Sequence, residues 1–194
     1  MLVGDYDKSI VYGEKALDTY KALNNGKRAH SVYLNLAGCY LEIDQIEKCK
    51  QYIDRASEIL KMLTDKEASA QQKSIEAKYY FYNGKYSAAI DKLEESKEMD
   101  EQLGLKDMVA DDLRNIAICY KRLKKYELAE SHLKQALAIF QELDHINGML
   151  KVYSKLATIP TKEGTQYYEA KTLECEKNLS KRGLSYMLHE SYLE

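Results

Sequence analysis

The sequence predicts an all-α protein in which antiparallel helix hairpins stack into a right-handed superhelix. The main observation is a period of 40 residues that runs through most of the chain. Residues recur at this step at Leu23, Leu63, Leu103 and Leu143, at Ala16, Ala56, Ser96 and Ala136, at Ala37, Ala77, Ala117 and Ala157, and at Tyr40, Tyr80 and Tyr120. Fixed-period similarity over most of a chain indicates stacked copies of one supersecondary unit. Such a stack usually serves as an extended binding surface and not as a single catalytic pocket.

Composition and charge narrow the class of protein. Charged residues make up 31% of the chain but nearly cancel, which leaves a net charge of −2. Bulk attraction to nucleic acid or to an anionic membrane is therefore not indicated. No stretch approaches the roughly 20 apolar residues that span a bilayer, and the first residues lack the pattern of a secretory signal. Cys39 and Cys119 share one repeat position, as small buried residues would, so no disulfide is needed and we expect a cytoplasmic protein.

The first repeat copy is only half present, because residues 1–24 match a turn and the second helix of a hairpin. The matching residues are Gly4, Asp5, Tyr6, Ser9 and Ala16. A second helix without its partner would expose an apolar face. This pattern favours a chain cut from a longer protein, and the alternative is a natural start in which residues 1–24 form a cap.

Three complete repeats follow, over residues 27–63, 67–103 and 107–143. In the clearest copy a spacing of three and four residues predicts two amphipathic helices. Their apolar positions are Met108, Leu113, Ile116, Ala117 and Tyr120, then Tyr126, Ala129, Leu133, Ala136, Leu137 and Phe140. Turns between the helices are expected at 43–45, 83–85 and 123–125. Two such helices form an αα-hairpin, whose apolar faces are covered only when hairpins stack.

The last repeat, over residues 148–181, is degenerate. It keeps Tyr153, Leu156 and Ala157, but Pro160 occupies the tyrosine position and the second helix is out of phase. The segment 144–148, which ends in Asn147 and Gly148, is expected to break the helical pattern before this repeat.

The end of the chain carries one further apolar stripe. Gly183 is expected to stop the preceding helix. Residues 184–193 then place Leu184, Met187, Leu188 and Tyr192 on one face. This stripe predicts a helix that caps the last repeat, and the alternative is a helix that docks on a partner.

At these positions the repeat resembles the tetratricopeptide repeat, which has a large residue, Leu, Gly or Ala, and Tyr on its first helix. Its second helix has Ala, a large residue and Ala. The matching residues are Tyr33, Leu36, Ala37 and Tyr40 with Cys49, Ile53 and Ala56, and Leu113, Ile116, Ala117 and Tyr120 with Ala129, Leu133 and Ala136. The family's usual period is about 34 residues. The longer step of 40 is similar to that of peptide-sensing regulators of Gram-positive bacteria and of kinesin light chains.

The resemblance implies a binding groove, because the first helices of tetratricopeptide repeats line a concave surface that contacts the ligand. The positions carried over are Leu34, Asn35, Gly38, Leu41, Ser74, Lys78, Phe81, Tyr82, Arg114, Asn115, Ile118, Lys121, Lys151 and Ser154. The set is apolar at one end and cationic at the other, which would favour an acidic ligand. Alternatively, the cations only solvate the surface. Gly38 would admit a ligand backbone, or it would relieve crowding between hairpins.

Motifs for catalysis, metal or cofactor binding are not found in the sequence. The four histidines fall in different units, and no CxxC pair, phosphate-binding glycine loop or nucleophile elbow occurs. Cys39 and Cys119 are expected to be packing residues, whereas Phe81 and Tyr82 are expected to point partly toward the inner face. We therefore expect no enzymatic activity, no cofactor and no metal.

Two functions fit these expectations best. The leading one is a scaffold that captures an extended peptide or a partner helix in its groove. The alternative is a ligand-sensing domain of a larger transcription or signalling regulator, in which a bound peptide would shift the superhelix between two pitches. A homo-oligomeric assembly element is a third class. The expected partners are proteins or peptides, with no contact to nucleic acid or membrane.

Overall fold

The computed structural model describes residues 3–184, which contain nine α-helices and no strand. The helices are α1 (Val3–Ala22), α2 (Gly26–Glu42), α3 (Ile46–Leu60), α4 (Lys66–Tyr82), α5 (Tyr86–Leu103), α6 (Lys106–Arg122), α7 (Tyr126–Glu142), α8 (Ile146–Leu156) and α9 (Thr165–Lys181). The predicted all-α class of helix hairpins is confirmed. We call α2, α4, α6 and α8 first helices, and α1, α3, α5, α7 and α9 second helices.

The chain divides into two compact units, and unit 1 contains α1 to α5. Helices α2 and α3 form one hairpin, α4 and α5 form the next, and α4 lies against both α2 and α3. Side chains cap both first helices. The Asn25 oxygen accepts from the backbone N–H of Arg28 at 3.1 Å, and Asp65 accepts from that of Ala68 at 3.0 Å. The core runs between α1, α2 and α3 and contains Leu17, Leu36, Ala37, Cys49 and Ile53.

Unit 2 begins at Gly104 and contains α6 to α9. Here α6 pairs with α7, α8 pairs with α9, and α8 also contacts α7. The core gathers apolar side chains from all four helices, among them Leu113, Phe140, Val152, Leu156 and Leu179. Burial of these large side chains is the main stabilising contribution to the unit.

Small residues allow the two helices of a hairpin to approach closely. At the repeat position of Ala56, Ser96 and Ala136, the exposed fraction is 0% in all three copies. The hydroxyl of Ser96 lies 3.0 Å from that of Ser74 and donates to the carbonyl oxygen of Ala70 at 3.2 Å. Both partners are on the first helix of the same hairpin, so a larger side chain would force the helices apart.

The turns within the hairpins lie where the sequence predicts them, between α2 and α3, α4 and α5, and α6 and α7. Each turn contains a residue with positive φ, namely Asp44 at 58°, Gly84 at 70° and Lys124 at 59°. The preceding helix ends in a paired set of backbone hydrogen bonds. In the last turn, the N–H of Lys124 donates to the carbonyl of Lys121, and that of Lys125 to the carbonyl of Tyr120. This is the Schellman arrangement, which satisfies the free carbonyls at a helix end.

The start of α8 differs from the expectation. Helix α8 begins at Ile146, so the segment predicted to break the helix is largely helical, and Gly148 lies inside it. A Cβ on Gly148 would approach Cδ1 of Phe140 to 2.4 Å. The glycine is therefore needed for close contact between α7 and α8 and does not act as a breaker.

Helix α8 is short and ends at Leu156. Pro160 follows in the connection, where it disfavours helical backbone in the residue before it. The longer connection to α9 is tied to α7 by Lys134, which pairs with Glu130 at 2.8 Å and with Glu163 at 2.9 Å. At the other end of α9, Gly183 has a φ of 72°, as expected of a helix stop.

Two expectations from the sequence stay untested. The capping helix predicted over 184–193 lies outside the described residues except for Leu184, which packs against the core of unit 2. The repeat boundaries and the joining of the repeats into one solenoid also remain predictions. Between residues 3 and 184, none of the helices has the length and apolar character needed to cross a membrane.

Candidate functional site

The predicted binding residues lie on the first helices, and each unit carries its own set. In unit 1 they come from α2 and α4, which pack against each other. In unit 2 they come from α6 and α8, which are also in contact. We call these two surfaces the α2–α4 face and the α6–α8 face.

The α2–α4 face presents polar groups that are free to bind. Asn35 and Lys78 are exposed, and no described residue bonds to the amide of Asn35 or the ammonium of Lys78. Gly38, on α2 like Asn35, borders open space, since a Cβ built on it would meet no other residue within 4 Å. The expectation that Gly38 relieves crowding between hairpins is therefore wrong. The open space is compatible with the close approach of a ligand.

Two adjacent aromatic residues border the same face. Tyr82 is 45% exposed, and its hydroxyl donates to Oε1 of Glu42 at 3.4 Å. Partial burial and the Glu42 carboxylate both raise the pKa of Tyr82, so its hydroxyl is protonated at neutral pH. Phe81 is half-buried between the rings of Tyr82, at 6.1 Å, and Tyr86, at 5.4 Å. Tyr82 thus offers an aromatic surface and a hydroxyl to a ligand.

Three predicted residues of unit 1 do not offer such a surface. Leu34 and Leu41 are 3% and 2% exposed and belong to the core of unit 1. Ser74 is half-buried and faces Ser96 of its own hairpin. Their positions on the helix turn them toward neighbouring helices, so their assignment to a ligand contact is wrong for the two leucines and unsupported for Ser74.

The cations of the α6–α8 face are not equivalent. Arg114 is only 6% exposed, and its Nη1 pairs with Oδ1 of Asp111 at 2.9 Å. The expected role of Arg114 in attracting an acidic ligand is therefore wrong, because its charge is buried and neutralised. Lys121 is half-buried and donates to Oγ1 of Thr158 at 2.7 Å. Within the described range it meets no carboxylate, and its pKa is lowered by burial and then by the neighbouring charge of Arg122.

The remaining predicted residues of unit 2 are half-buried. They are Asn115, Ile118, Lys151 and Ser154. Asn115 accepts a hydrogen bond from Nη2 of Arg114 at 3.4 Å, and the hydroxyl of Ser154 donates to the carbonyl of Lys151 at 2.8 Å. These residues flank Lys121 without being fully available to a ligand.

Ser154 also borders a cleft that sequence reasoning missed. The cleft lies between the end of α8 and α9 and has a volume of about 420 Å³. Its described lining consists of Ser154, Ala157, Thr158, Glu169, Thr172, Leu173 and Glu176. The phase of the repeat does not predict the residues from α9, because that helix is out of phase with the repeat. Their spacing of three and four residues, which places them on one helix face, was the available signal.

The thiols are packing groups. Burial raises the pKa of Cys49 and of Cys119 to about 12, so both are protonated at neutral pH. The expectation that Cys119 packs in the interior is confirmed. Cys39 is half-buried, and burial and then Glu42 raise its pKa. Among residues 3–184, no group of three or more His, Cys, Asp or Glu side chains is arranged to hold a metal ion.

Comparison with known families identifies the repeat. A tetratricopeptide repeat model matches residues 74–142, which include the whole α4–α5 connection and the α6–α7 hairpin. This match shows tetratricopeptide repeat sequence over residues 74–142, and the described helix hairpins have the architecture that such repeats form.

One curated relative and two solved structures are similar to the chain. Response regulator aspartate phosphatase I of Bacillus subtilis (strain 168) is 35% identical over 60 residues, which are 31% of this chain and 15% of that protein. The chain thus matches a small part of this curated relative. The structure of BtubC (BKLC) from P. vanneervenii superposes with a TM-score of 0.75 at 18% identity. The match covers 96% of this chain and 87% of the BtubC chain.

The second solved structure is a putative kinesin light chain of Podosopora anserina with nearly identical TPR-like repeats. It superposes with a TM-score of 0.64 at 13% identity and covers 92% of this chain and 90% of its own. At these identities, both structures show a shared fold. The expected likeness to long-repeat proteins of the kinesin light chain and bacterial regulator type is confirmed.

Proposed function

We propose that this chain is a protein- or peptide-binding module whose α2–α4 face holds an extended segment of the ligand. The observation that carries the proposal is the open space beside Gly38 on α2, together with the free side chains of Asn35 on α2 and Lys78 on α4, two helices that pack against each other. An asparagine amide can donate to and accept from a peptide backbone. Lys78 would pair with a carboxylate, and Tyr82 would cover an apolar side chain.

Lys121 is the cation of the α6–α8 face that best supports an acidic ligand. Its ammonium is half-buried and held by Thr158, with no carboxylate partner in the described residues. A partly desolvated cation gains more from a ligand carboxylate than an exposed one, because the local dielectric constant is lower. We therefore expect Lys121 and Lys78, and not Arg114, to pair with carboxylates of the ligand.

The proposed module binds without catalysis and works in the cytoplasm. Its four cysteines are free thiols, which supports a reducing compartment. Rigid helical faces can bind a short segment at a small ordering cost to themselves.

Replacement of Gly38 by alanine tests the binding face. Peptides selected from a random display library against the wild-type chain would serve as probes. The added methyl group meets open space, so Gly38→Ala should stabilise α2 by up to about 1 kcal/mol, the usual difference between glycine and alanine in a helix. The same methyl group should weaken peptide binding about tenfold by blocking close approach. Thermal unfolding and fluorescence anisotropy measure the two effects.

Gly26→Ala is the matched control for this experiment. Gly26 lies in the first turn of the same helix, and its added Cβ would make an ordinary contact of 3.6 Å with Ile59. Peptide affinity should not change in this variant. Unchanged affinity in Gly38→Ala as well, for every selected peptide, would place the ligand elsewhere.

A second candidate function is a regulatory module that binds the receiver domain of a response regulator. The similarity to a response regulator aspartate phosphatase favours it. Titration of the chain against a panel of purified receiver domains, both unphosphorylated and phosphorylated on aspartate, would test it. Binding to one receiver domain supports this function, and an accelerated loss of its phosphoryl group would contradict the proposal of binding without catalysis.

A further inference from the structure

An exposed carboxylate lies at the end of α2, where the helix dipole disfavours one. Glu42 is the last residue of α2, and the last turn of this helix contains no basic residue. The carbonyl end of a helix carries partial negative charge, so a cation is stabilised there and a carboxylate is not. At the equivalent position of α6 the residue is Arg122, as the dipole favours. Glu42 and the exposed Asp44 in the following turn therefore make the end of α2 strongly negative.

The carboxylate of Glu42 is largely free. Its contact is the hydroxyl of Tyr82, which donates to Oε1 at the long distance of 3.4 Å. Within residues 3–184, no lysine, arginine or histidine side chain forms an ion pair with Glu42. A carboxylate has about four sites that accept hydrogen bonds. Most of the capacity of Glu42 thus remains available to a cation from outside the chain.

Two tyrosine rings border this carboxylate. Tyr82 on α4 is bonded to it and is 45% exposed. Burial and then the charge of Glu42 raise the pKa of the half-buried Tyr6 on α1, so the Tyr6 side chain also lies near the carboxylate. A cation is attracted to the face of a tyrosine ring within about 6 Å. A carboxylate with tyrosine rings beside it is therefore suited to hold a basic group.

These groups continue the α2–α4 face. On α2, Asn35, Gly38 and Glu42 follow one another at steps of three and four residues, which places them on one side of the helix. On α4, Lys78 and Tyr82 are four residues apart and also share a side. The face thus offers a free ammonium at Lys78. About 6 Å further along α4, at Tyr82, it offers the free carboxylate of Glu42.

We propose that Glu42, Tyr82 and Tyr6 form a subsite for a lysine or arginine side chain of the peptide that the α2–α4 face binds. The cation pairs with the carboxylate, and its apolar stem lies on the Tyr82 ring. This inference rests on the proposed function and sharpens it. The ligand then carries both charges, an acidic residue for Lys78 and a basic residue for Glu42, and a purely acidic segment is repelled by Glu42.

Peptides selected from a random display library against the wild-type chain are the probes. Those whose affinity falls in Gly38→Ala occupy the α2–α4 face and are carried forward. In each, lysine is replaced by norleucine and arginine by citrulline, which removes the charge and keeps the length of the side chain. Replacement of one basic residue should weaken binding about fivefold in fluorescence anisotropy, as expected for an exposed ion pair together with a contact between cation and ring.

Glu42→Gln should weaken the unmodified peptides by the same factor, because it removes the charge and keeps an oxygen acceptor for Tyr82. It should not weaken the neutral peptides further, and this double-mutant cycle isolates the pair. Tyr82→Phe keeps the ring and should bind within about twofold of wild type, whereas Tyr82→Leu should lose about threefold. The matched control is Glu58→Gln, the same change at an exposed position of α3, which should leave the affinity unchanged.

The outcomes separate this subsite from the proposed function. Peptides that respond to Gly38→Ala but contain no basic residue, or that bind Glu42→Gln as tightly as wild type, overturn the subsite and leave the proposed function intact. Tighter binding to Glu42→Gln, an equal loss in Glu58→Gln or an unchanged affinity in Tyr82→Leu also overturns the subsite. If no selected peptide responds to Gly38→Ala, the proposed function fails and the subsite fails with it.

Discussion

At the residue scale, burial decides which of the predicted side chains can act. A helical period predicts which positions are apolar, but it does not say whether a polar side chain folds back onto its own helix. Arg114 illustrates this, because its guanidinium group forms an ion pair with Asp111, three residues earlier on the same helix. Lys121 stays available because its neighbour is the neutral hydroxyl of Thr158. This difference depends on side-chain geometry and could not be predicted from the spacing of the repeat.

His30 is a buried residue that makes stability depend on pH. It is 0% exposed, and its Nε2 lies 3.1 Å from Oε1 of Gln72. The Gln72 amide group donates to Ser57 at 2.8 Å and to Glu76 at 3.0 Å, so its oxygen accepts from His30. Burial, the larger effect, lowers the pKa of His30 despite the hydrogen bond.

The unfolded chain therefore takes up the His30 proton before the folded chain does as the pH falls. The stability is fully present above the ordinary histidine pKa, about 6.5, and is lost as the pH falls below it. Urea denaturation between pH 7.5 and 5 should show a decrease of at most about 1.4 kcal/mol per pH unit. His30→Gln should flatten this slope, whereas His145→Gln, at an exposed site, should retain it. The same slope in wild type and His30→Gln would show that other groups cause it.

At the element scale, the hairpin turns combine predictable and unpredictable features. Asn83 and Gly84 predict the α4–α5 turn because both residue types favour turns, and Gly84 has the expected positive φ. The α6–α7 turn has no such residue, and the short polar segment between two amphipathic patterns predicts it. The sequence does not show that Gly148 lies inside α8, because a glycine that permits close packing looks the same in a sequence as one that ends a helix.

Lys124 is the residue of the α6–α7 turn whose backbone is strained. Its φ of 59° is left-handed, which is unfavourable for a residue with a Cβ. Lys124→Gly should stabilise the chain by about 0.5–1 kcal/mol, because the lost strain exceeds the added freedom of the unfolded glycine. Lys125→Gly removes the same charge at a φ of −91° and should give no gain. Thermal or urea unfolding measures both variants, and an equal gain in both would assign the effect to charge.

At the scale of the whole molecule, the packing of the helices divides the chain at a point where the sequence repeat continues. The step of 40 residues continues from Leu103 to Leu143 without interruption, so the sequence marks no boundary at Gly104. Packing nevertheless divides the chain into two units, and the connected apolar cores lie within them. The division reflects which helices lie close together in the fold, and the periodic pattern does not specify this.

Two equivalent core leucines test whether the units unfold separately. Leu93 in unit 1 and Leu133 in unit 2 occupy the same repeat position, and each is 2% exposed. Truncation of either to alanine should cost about 2–5 kcal/mol. In repeat proteins stability is a sum of local and nearest-neighbour terms, so the loss should be local.

Hydrogen exchange followed by mass spectrometry distinguishes the two variants. Leu133→Ala should reduce amide protection in α6 to α9 more than in α2 to α5, and Leu93→Ala should do the reverse. Each variant is the control for the other, because the substitution and the repeat position are identical. A uniform loss of protection over residues 3–184 in both variants would mean that the chain unfolds as one cooperative body. The division into units would then describe only the packing of the native state.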